Sequence, residues 1–174
     1  MRKLLFLFIV TLFINGCSQL TIPKGVYPVE QFNVHKYQGK WYEIARLENS
    51  FEEGLDHITA EYTLLEKGGL KVINRGFSIE DNEWKTAEGK AKFVKVQNDA
   101  YLKVSYAWPF YASYVVFDLD EKHYQYAFVT SIDDSYLWLL SRTPKVSEQV
   151  MERFLKKSEK LGFDTKKLIF VNHD

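Results

Sequence analysis

Between Lys40 and Ser141 the chain is cut into short segments of strand character that recur about every 10 to 15 residues, the spacing of an all-β barrel or sandwich. They cover residues 41–48, 57–66, 70–79, 84–96, 101–107, 111–119, 124–131 and 136–141. Lys67-Gly68-Gly69 supplies the positive φ angles of a tight hairpin, and Asp81-Asn82 and Asn98-Asp99 mark further turns. Pro109 lacks the donor a ladder needs and closes the fifth segment. Strands joined mostly by short turns predict an up-and-down antiparallel meander. Eight of them close into a barrel just wide enough for one small ligand, and closure removes the exposed edges that invite aggregation.

After Pro144 the period changes. Val146, Val150 and Phe154, flanked by Met151, Leu155 and Ser158, repeat at helical spacing; Ser147 can cap the start and Gly162 the end. Such an amphipathic helix needs a surface to lie on. A short strand over 167–171 follows. The fold class is therefore all-β, an eight-stranded up-and-down antiparallel barrel with one C-terminal α-helix and a short ninth strand. Aromatic residues make up 16% of the chain, enough to wall a ligand cavity or to fill a core. Basic and acidic residues balance at 23 each, and no basic run is interleaved with aromatics, so no field favours nucleic acid.

The N-terminus is a separate object. Arg2 and Lys3 precede an apolar run from Leu4 to Ile14, the length of a signal-peptide core and too short to span a bilayer. Ile14-Asn15-Gly16-Cys17 follows, with the only cysteine of the chain, so no disulfide supports the fold. The sequence resembles the lipobox of bacterial lipoproteins, which implies a signal peptide over 1–16 and a lipidated Cys17 as the first mature residue. The alternative is an ordinary signal peptide with a cysteine at its end. Acylation would hold the protein stably on a membrane. By the sorting rule of such lipoproteins, Ser18 in place of Asp directs it to the outer membrane in a Gram-negative cell. Residues 17–28, with two prolines and a glycine, read as a flexible tether, and 29–174 as the folded domain.

Three motifs sharpen the fold. Gly39-Lys40-Trp41-Tyr42 opens the first strand, Leu119-Asp120 with Tyr124 marks the turn between the sixth and seventh, and Ser141-Arg142-Thr143-Pro144 ends the eighth. In order and spacing these resemble the lipocalin signatures, and the segments 39–46 and 136–144 resemble those of bacterial outer-membrane lipocalins and apolipoprotein D. The resemblance implies that Gly39, Trp41, Asp120 and Arg142 are structural. Trp41 should close the narrow end of the barrel beneath the Arg142 guanidinium, a cation–π pair worth roughly 0.5–2 kcal/mol.

Strand alternation then lists inward positions. Counting from Trp41 gives Glu43, Ala45 and Leu47; counting back from Arg142 gives Leu140, Trp138 and Tyr136. Matching the middle strands to the lipocalin pattern adds Ala60 and Tyr62, Val72 and Asn74, and Gly89 and Ala91. The same match adds Leu102, Val104 and Tyr106, and Tyr114 and Val116. Of these, Glu43 and Leu140 belong nearer the closed end. The rest are candidate ligand-binding residues, apart from Gly89 and Ala91, which leave space. The loop 50–55 should lie over the open end, with Phe51 and Leu55 at a rim or packed on the loop itself. Trp108-Pro109-Phe110-Tyr111 belongs to the same end, set to touch membrane lipid or to fold into a small core of its own.

Catalytic sets are scarce. His35, His57, His123 and His173 are scattered without metal-ligand spacing, and no nucleophile elbow or phosphate-cradling glycine loop occurs. Glu43 is the exception to watch, as an inward carboxyl near the barrel floor. No metal or cofactor is implied. The expectation is a lipid-binding lipoprotein, not an enzyme, that stores, carries or scavenges fatty acids or lysophospholipids at the cell envelope. Its partners would be that ligand and, through Cys17, the membrane; a homodimer stays open. A structural lipoprotein with a filled barrel and an enzyme of lipocalin fold are the alternatives.

Overall fold

The computed structural model describes residues 20–95 and 98–174. A single turn of helix, α1 (Val34–Tyr37), leads into the first strand, β1 (Gly39–Leu47). A meander follows through β2 (Leu55–Leu64), β3 (Leu70–Ser78), β4 (Glu83–Phe93) and β5 (Tyr101–Ala107). It continues through β6 (Phe110–Leu119), β7 (Tyr126–Thr130) and β8 (Leu137–Ser141). Helix α2 (Glu148–Lys160) and the short β9 (Leu168–Phe170) complete the chain. Every neighbouring pair is antiparallel, and β1 pairs with both β8 and β2, so the eight strands close into a barrel. The expected strands are all present, with ends shifted by a few residues. Above Tyr42, β1 leaves β2 and pairs with β9 instead, from Ala45↔Phe170 to Leu47↔Leu168.

The closed end follows from its sequence. Asn33 caps α1, its Oδ1 accepting from the backbone N–H groups of His35 and Lys36. That one turn, invisible to strand periodicity, seats Tyr37 on Trp41, with ring centroids 4.8 Å apart. The Trp41 indole N–H donates to the Tyr37 carbonyl at 2.8 Å. The Arg142 guanidinium lies 3.9 Å from the Trp41 ring centroid. Its remaining donors reach the carbonyls of Lys36, Gln38, Lys40 and Tyr124. Gly39 is required by its backbone, whose φ of +89° is a conformation that L side chains rarely adopt. Asp120 organises the β6–β7 turn, its carboxylate accepting from the N–H groups of His123 and Gln125.

Two apolar layers result. The inner one fills the lower barrel with Phe32, Tyr37, Trp41, Leu102, Val116 and their neighbours. The outer one lies between the barrel wall and α2, where Phe154 is fully buried against Phe128 at 5.0 Å. Burying one such side chain contributes about 1.5–3 kcal/mol. Ser147 caps α2 as expected, its Oγ accepting from the Val150 N–H. The helix is pinned by a charge cluster: buried Asp118 accepts from Arg153 at 2.9 Å and from Lys157 at 2.7 Å.

The structure corrects the expectation of a loose tether for the residues described. Pro23 and Val26 are buried, Val26 within the outer layer. The strap also hydrogen-bonds to the wall: the Tyr101 hydroxyl donates to the Leu20 carbonyl and the Ser113 hydroxyl to the Thr21 carbonyl. Prolines favoured this packing, since they hold an extended backbone with few donors to satisfy. Residues 1–16 and Cys17 lie outside the described residues.

The closed end yields the first prediction. Arg142→Ala removes the cation–π contact and the donors to four carbonyls, so stability should fall by about 2–4 kcal/mol. Urea denaturation should show a lower midpoint at unchanged m-value. Arg142→Lys should recover less than half of the loss, because one ammonium cannot serve the separate carbonyls that the planar fork reaches.

Candidate functional site

The upper barrel holds a cavity of about 320 Å³, within the lower part of the range of small-ligand sites. Ile58, Ala60, Val104, Val129 and Leu140 give it apolar walls. It opens at the end where β1–β2, β3–β4, β5–β6 and β7–β8 are joined. Its floor is a row of tyrosine hydroxyls: Tyr114 bonds Tyr37 at 2.6 Å and Tyr62 at 2.8 Å. Burial pushes the phenols of Tyr37, Tyr62 and Tyr114 well above their usual range, so they stay neutral hydrogen-bonding groups. On one side Asn74 donates to the Tyr106 hydroxyl at 2.8 Å, leaving the buried Asn74 Oδ1 without a partner among the described residues.

Of the residues picked out by alternation, Ala60, Tyr62, Asn74, Val104, Tyr106, Tyr114, Tyr136 and Trp138 line this cavity. Val72, Leu102 and Val116 face inward but belong to the plug beneath it, as does Ala91. Gly89 makes room for the Tyr106 ring, since a Cβ there would come within 2.8 Å of it. Phe51 lines the mouth. Leu55 does not, although its carbonyl takes a hydrogen bond described below. Trp108 and Phe110 are 83% and 69% exposed, so that loop does not fold into a core of its own.

Ala45 and Leu47 are corrections. Both lie in the outer layer, against the helix side of the wall. The cause is a bulge in β1 between Glu43 and Ala45, where the register against β8 slips by a residue. One extra residue reverses the facing of everything beyond it. Ile44 and Ala45 both turn outward, and Arg46 turns in.

That reversal builds a polar wall which alternation alone missed. Arg46, almost fully buried, donates to Glu43 Oε1 at 3.1 Å. It also donates to the carbonyls of Glu52 and Leu55 at 3.0 and 3.2 Å, and so holds the β1–β2 loop down over the rim. Glu52 Oε2 in turn accepts from the Trp138 indole at 2.9 Å and from Asn49 Nδ2 at 2.7 Å. Glu43 is 3% exposed, and burial holds its carboxyl well above the usual range. The charge of Glu52 and a hydrogen bond to it push the same way, against the smaller opposing pull of Arg46. The Glu43 carboxyl therefore holds its proton to higher pH than an exposed glutamate does. A signal for this wall was present in the sequence, since three ionisable residues (Glu43, Arg46 and Glu52) sit close together around an otherwise apolar strand.

Barrel, late helix, glycine–tryptophan closure and apical cavity together define a small-ligand-binding β-barrel of the lipocalin type. A model of the lipocalin-like domain matches residues 32–173, and the chain belongs to the lipocalin family. It is 52% identical over 169 residues to the outer membrane lipoprotein Blc of Vibrio cholerae, covering 97% of this chain and 98% of that one. It is 45% identical to the protein of the same name from Escherichia coli K12, over 90% of this chain and 88% of that one. Among solved structures, insecticyanin from the tobacco hornworm Manduca sexta shares the fold, with a TM-score of 0.69 at 20% identity. That match spans 88% of this chain and 87% of the insect protein. Within the family this chain stands with the bacterial outer-membrane lipoproteins.

The acid pair yields a pH prediction. Above the ordinary carboxyl value of about 4.5, an unfolded chain gives up the Glu43 proton while the folded barrel keeps it. The folded state then binds more protons, so this group costs stability as pH rises, by up to about 1.4 kcal/mol per pH unit. Glu43→Gln keeps the hydrogen bond accepted from Arg46 and has no proton to lose. The variant's stability relative to the parent, followed by urea denaturation, should climb as the pH rises above 4.5. A difference that stays flat over that range would show that Glu43 ionises normally.

Proposed function

We propose that this protein is a lipid-binding lipoprotein, not an enzyme, which stores, carries or scavenges fatty acids or lysophospholipids at the outer membrane. The observation that carries the reading is the open, mainly apolar cavity above a solid plug. An acyl chain suits the apolar walls. A carboxylate, phosphate ester or glycerol hydroxyl of the same molecule suits the polar features near the mouth, among them the unpartnered Asn74 Oδ1 and the Trp138–Glu52 wall. The open cavity weighs against the filled-barrel alternative. Against an enzyme weighs the environment of Glu43, whose carboxyl is buried beside Glu52 and held by the Arg46 guanidinium. That is a charge-compensated structural wall.

The anchor in this reading is Cys17, acylated after removal of residues 1–16. Both outer-membrane relatives are named lipoproteins, which supports it.

Mass spectrometry of lipid extracted from the purified protein should find one equivalent of an acyl lipid. Titration of the delipidated protein with a fluorescent fatty acid should give a saturable site. Trp138→Ala should weaken it about tenfold, or about 1.4 kcal/mol. Ala60→Phe should fill the upper barrel and abolish binding while the thermal midpoint shifts by only a few degrees. Undiminished binding in Ala60→Phe would place the ligand outside the barrel and overturn the proposal.

A further inference from the structure

The strap and the rim point to the same face of the molecule. Among the described residues, the atoms anchored nearest to Cys17 are the carbonyls of Leu20 and Thr21, held by Tyr101 and Ser113, and the Thr21 hydroxyl, which donates to the Ile132 carbonyl at 2.9 Å. Ile132 belongs to the loop joining β7 to β8, which lies at the open end. Two residues, Ser18 and Gln19, separate Leu20 from Cys17, and three fully extended residue steps reach only about 10 Å. A ten-residue strand such as β6 runs about 33 Å. An acyl anchor on Cys17 therefore cannot reach the closed end. The mouth is the end within its reach.

The mouth is built for such company. Phe51, Ile79, Trp108 and Phe110 come from three of its loops and are 67–83% exposed. Exposed large apolar side chains gathered at one end of a barrel mark an interaction surface, and tryptophan favours the water–lipid boundary. The charge around the cluster selects the lipid. Residues 48–54, 79–82, 107–110 and 131–136 contain no Lys or Arg, while Glu48, Glu53, Glu80, Asp133 and Asp134 are exposed there. An anionic surface would be repelled, and a zwitterionic one would not.

We propose that the protein docks mouth-down on a zwitterionic phospholipid bilayer, with Trp108, Phe110, Phe51 and Ile79 seated at the interface and the cavity opening directly onto the leaflet that holds the Cys17 anchor. The proposal rests on the lipoprotein reading above. Lipid then passes between leaflet and barrel without crossing bulk water.

The test uses the full-length acylated protein in vesicles of phosphatidylcholine and phosphatidylethanolamine. The thioether at Cys17 leaves an introduced cysteine as the sole reactive thiol. Nitroxide labels are placed at the mouth (Glu53→Cys, Glu80→Cys) and at the closed end (Glu66→Cys, Lys122→Cys). Collision with oxygen, which concentrates in lipid, is compared with collision with a water-soluble nickel chelate. The oxygen-to-nickel ratio should be at least fivefold higher at the mouth. The Trp108→Ser/Phe110→Ser double variant should bring the mouth labels back to the closed-end ratio while the protein stays on the vesicles. Replacing a third of the lipid with phosphatidylglycerol at low salt should do the same.

Equal ratios at both ends, or a higher ratio at the closed end, would overturn the orientation. Mouth labels shielded from both reagents would overturn it in favour of a second copy on the rim. A mature protein whose mass shows no acyl groups would overturn the anchor reading, and the orientation with it; the mass spectrum therefore tells the two failures apart.

Discussion

The Arg142 guanidinium over the Trp41 ring closes the barrel, and the rest of the architecture is hung from that contact. Arg142 ends β8, Trp41 lies near the start of β1, and the carbonyls they collect belong to α1 and the turn after it. The first and last strands of the meander, far apart in sequence, are thereby joined at their lower ends. With that corner fixed, the antiparallel register runs upward strand by strand. The plug of Phe32, Tyr37 and Leu102 fills what lies above it. Only beyond the plug do the side chains thin out enough to leave space.

The upper half follows a different logic. Its apolar walls tolerate many occupants, but its polar wall is closely specified. Burial and the neighbouring Glu52 push the Glu43 carboxyl well above its usual range, and Glu52 is held in turn by Trp138 and Asn49. Arg46 supplies the compensating positive charge and at the same time ties down the loop over the mouth. A buried cluster of this kind is weak evidence for added stability. Its value here is positional, because it fixes the rim that any ligand must pass.

Much of this was legible in the sequence, for definite reasons. Turn residues such as Lys67-Gly68-Gly69 and the change to helical period after Pro144 report local physics, and local physics decides those elements. Trp41 and Arg142 were legible because a recurring motif carries them. The parts that escaped depend on distant partners. Nothing in residues 39–47 announces the bulge after Glu43, which arises from pairing with β8, and so Ala45 and Leu47 were placed on the wrong face. The α1 turn is a single helical turn capped by Asn33, too short for any periodicity to register. The strap over 20–28 looked like a tether because its composition is loop-like; the wall groups that receive it, Tyr101 and Ser113, lie some 80 to 90 residues away.

The handover on β1 has a mechanical consequence. Below Tyr42 the barrel is sewn to β2 by backbone ladder bonds, and above it β1 turns to β9. The circumference near the top therefore has a seam, bridged by Arg46 reaching to the Glu52 and Leu55 carbonyls and by the C-terminal residues, where Asn172 N–H donates to Asp56 and the His173 ring meets the Glu43 carbonyl. Opening that seam breaks side-chain hydrogen bonds and leaves the ladder whole. The lower half of the cup is closed by continuous ladder bonds, whereas the upper half is closed along one line by a handful of side-chain and C-terminal contacts, much as a cuff is fastened by a few buttons.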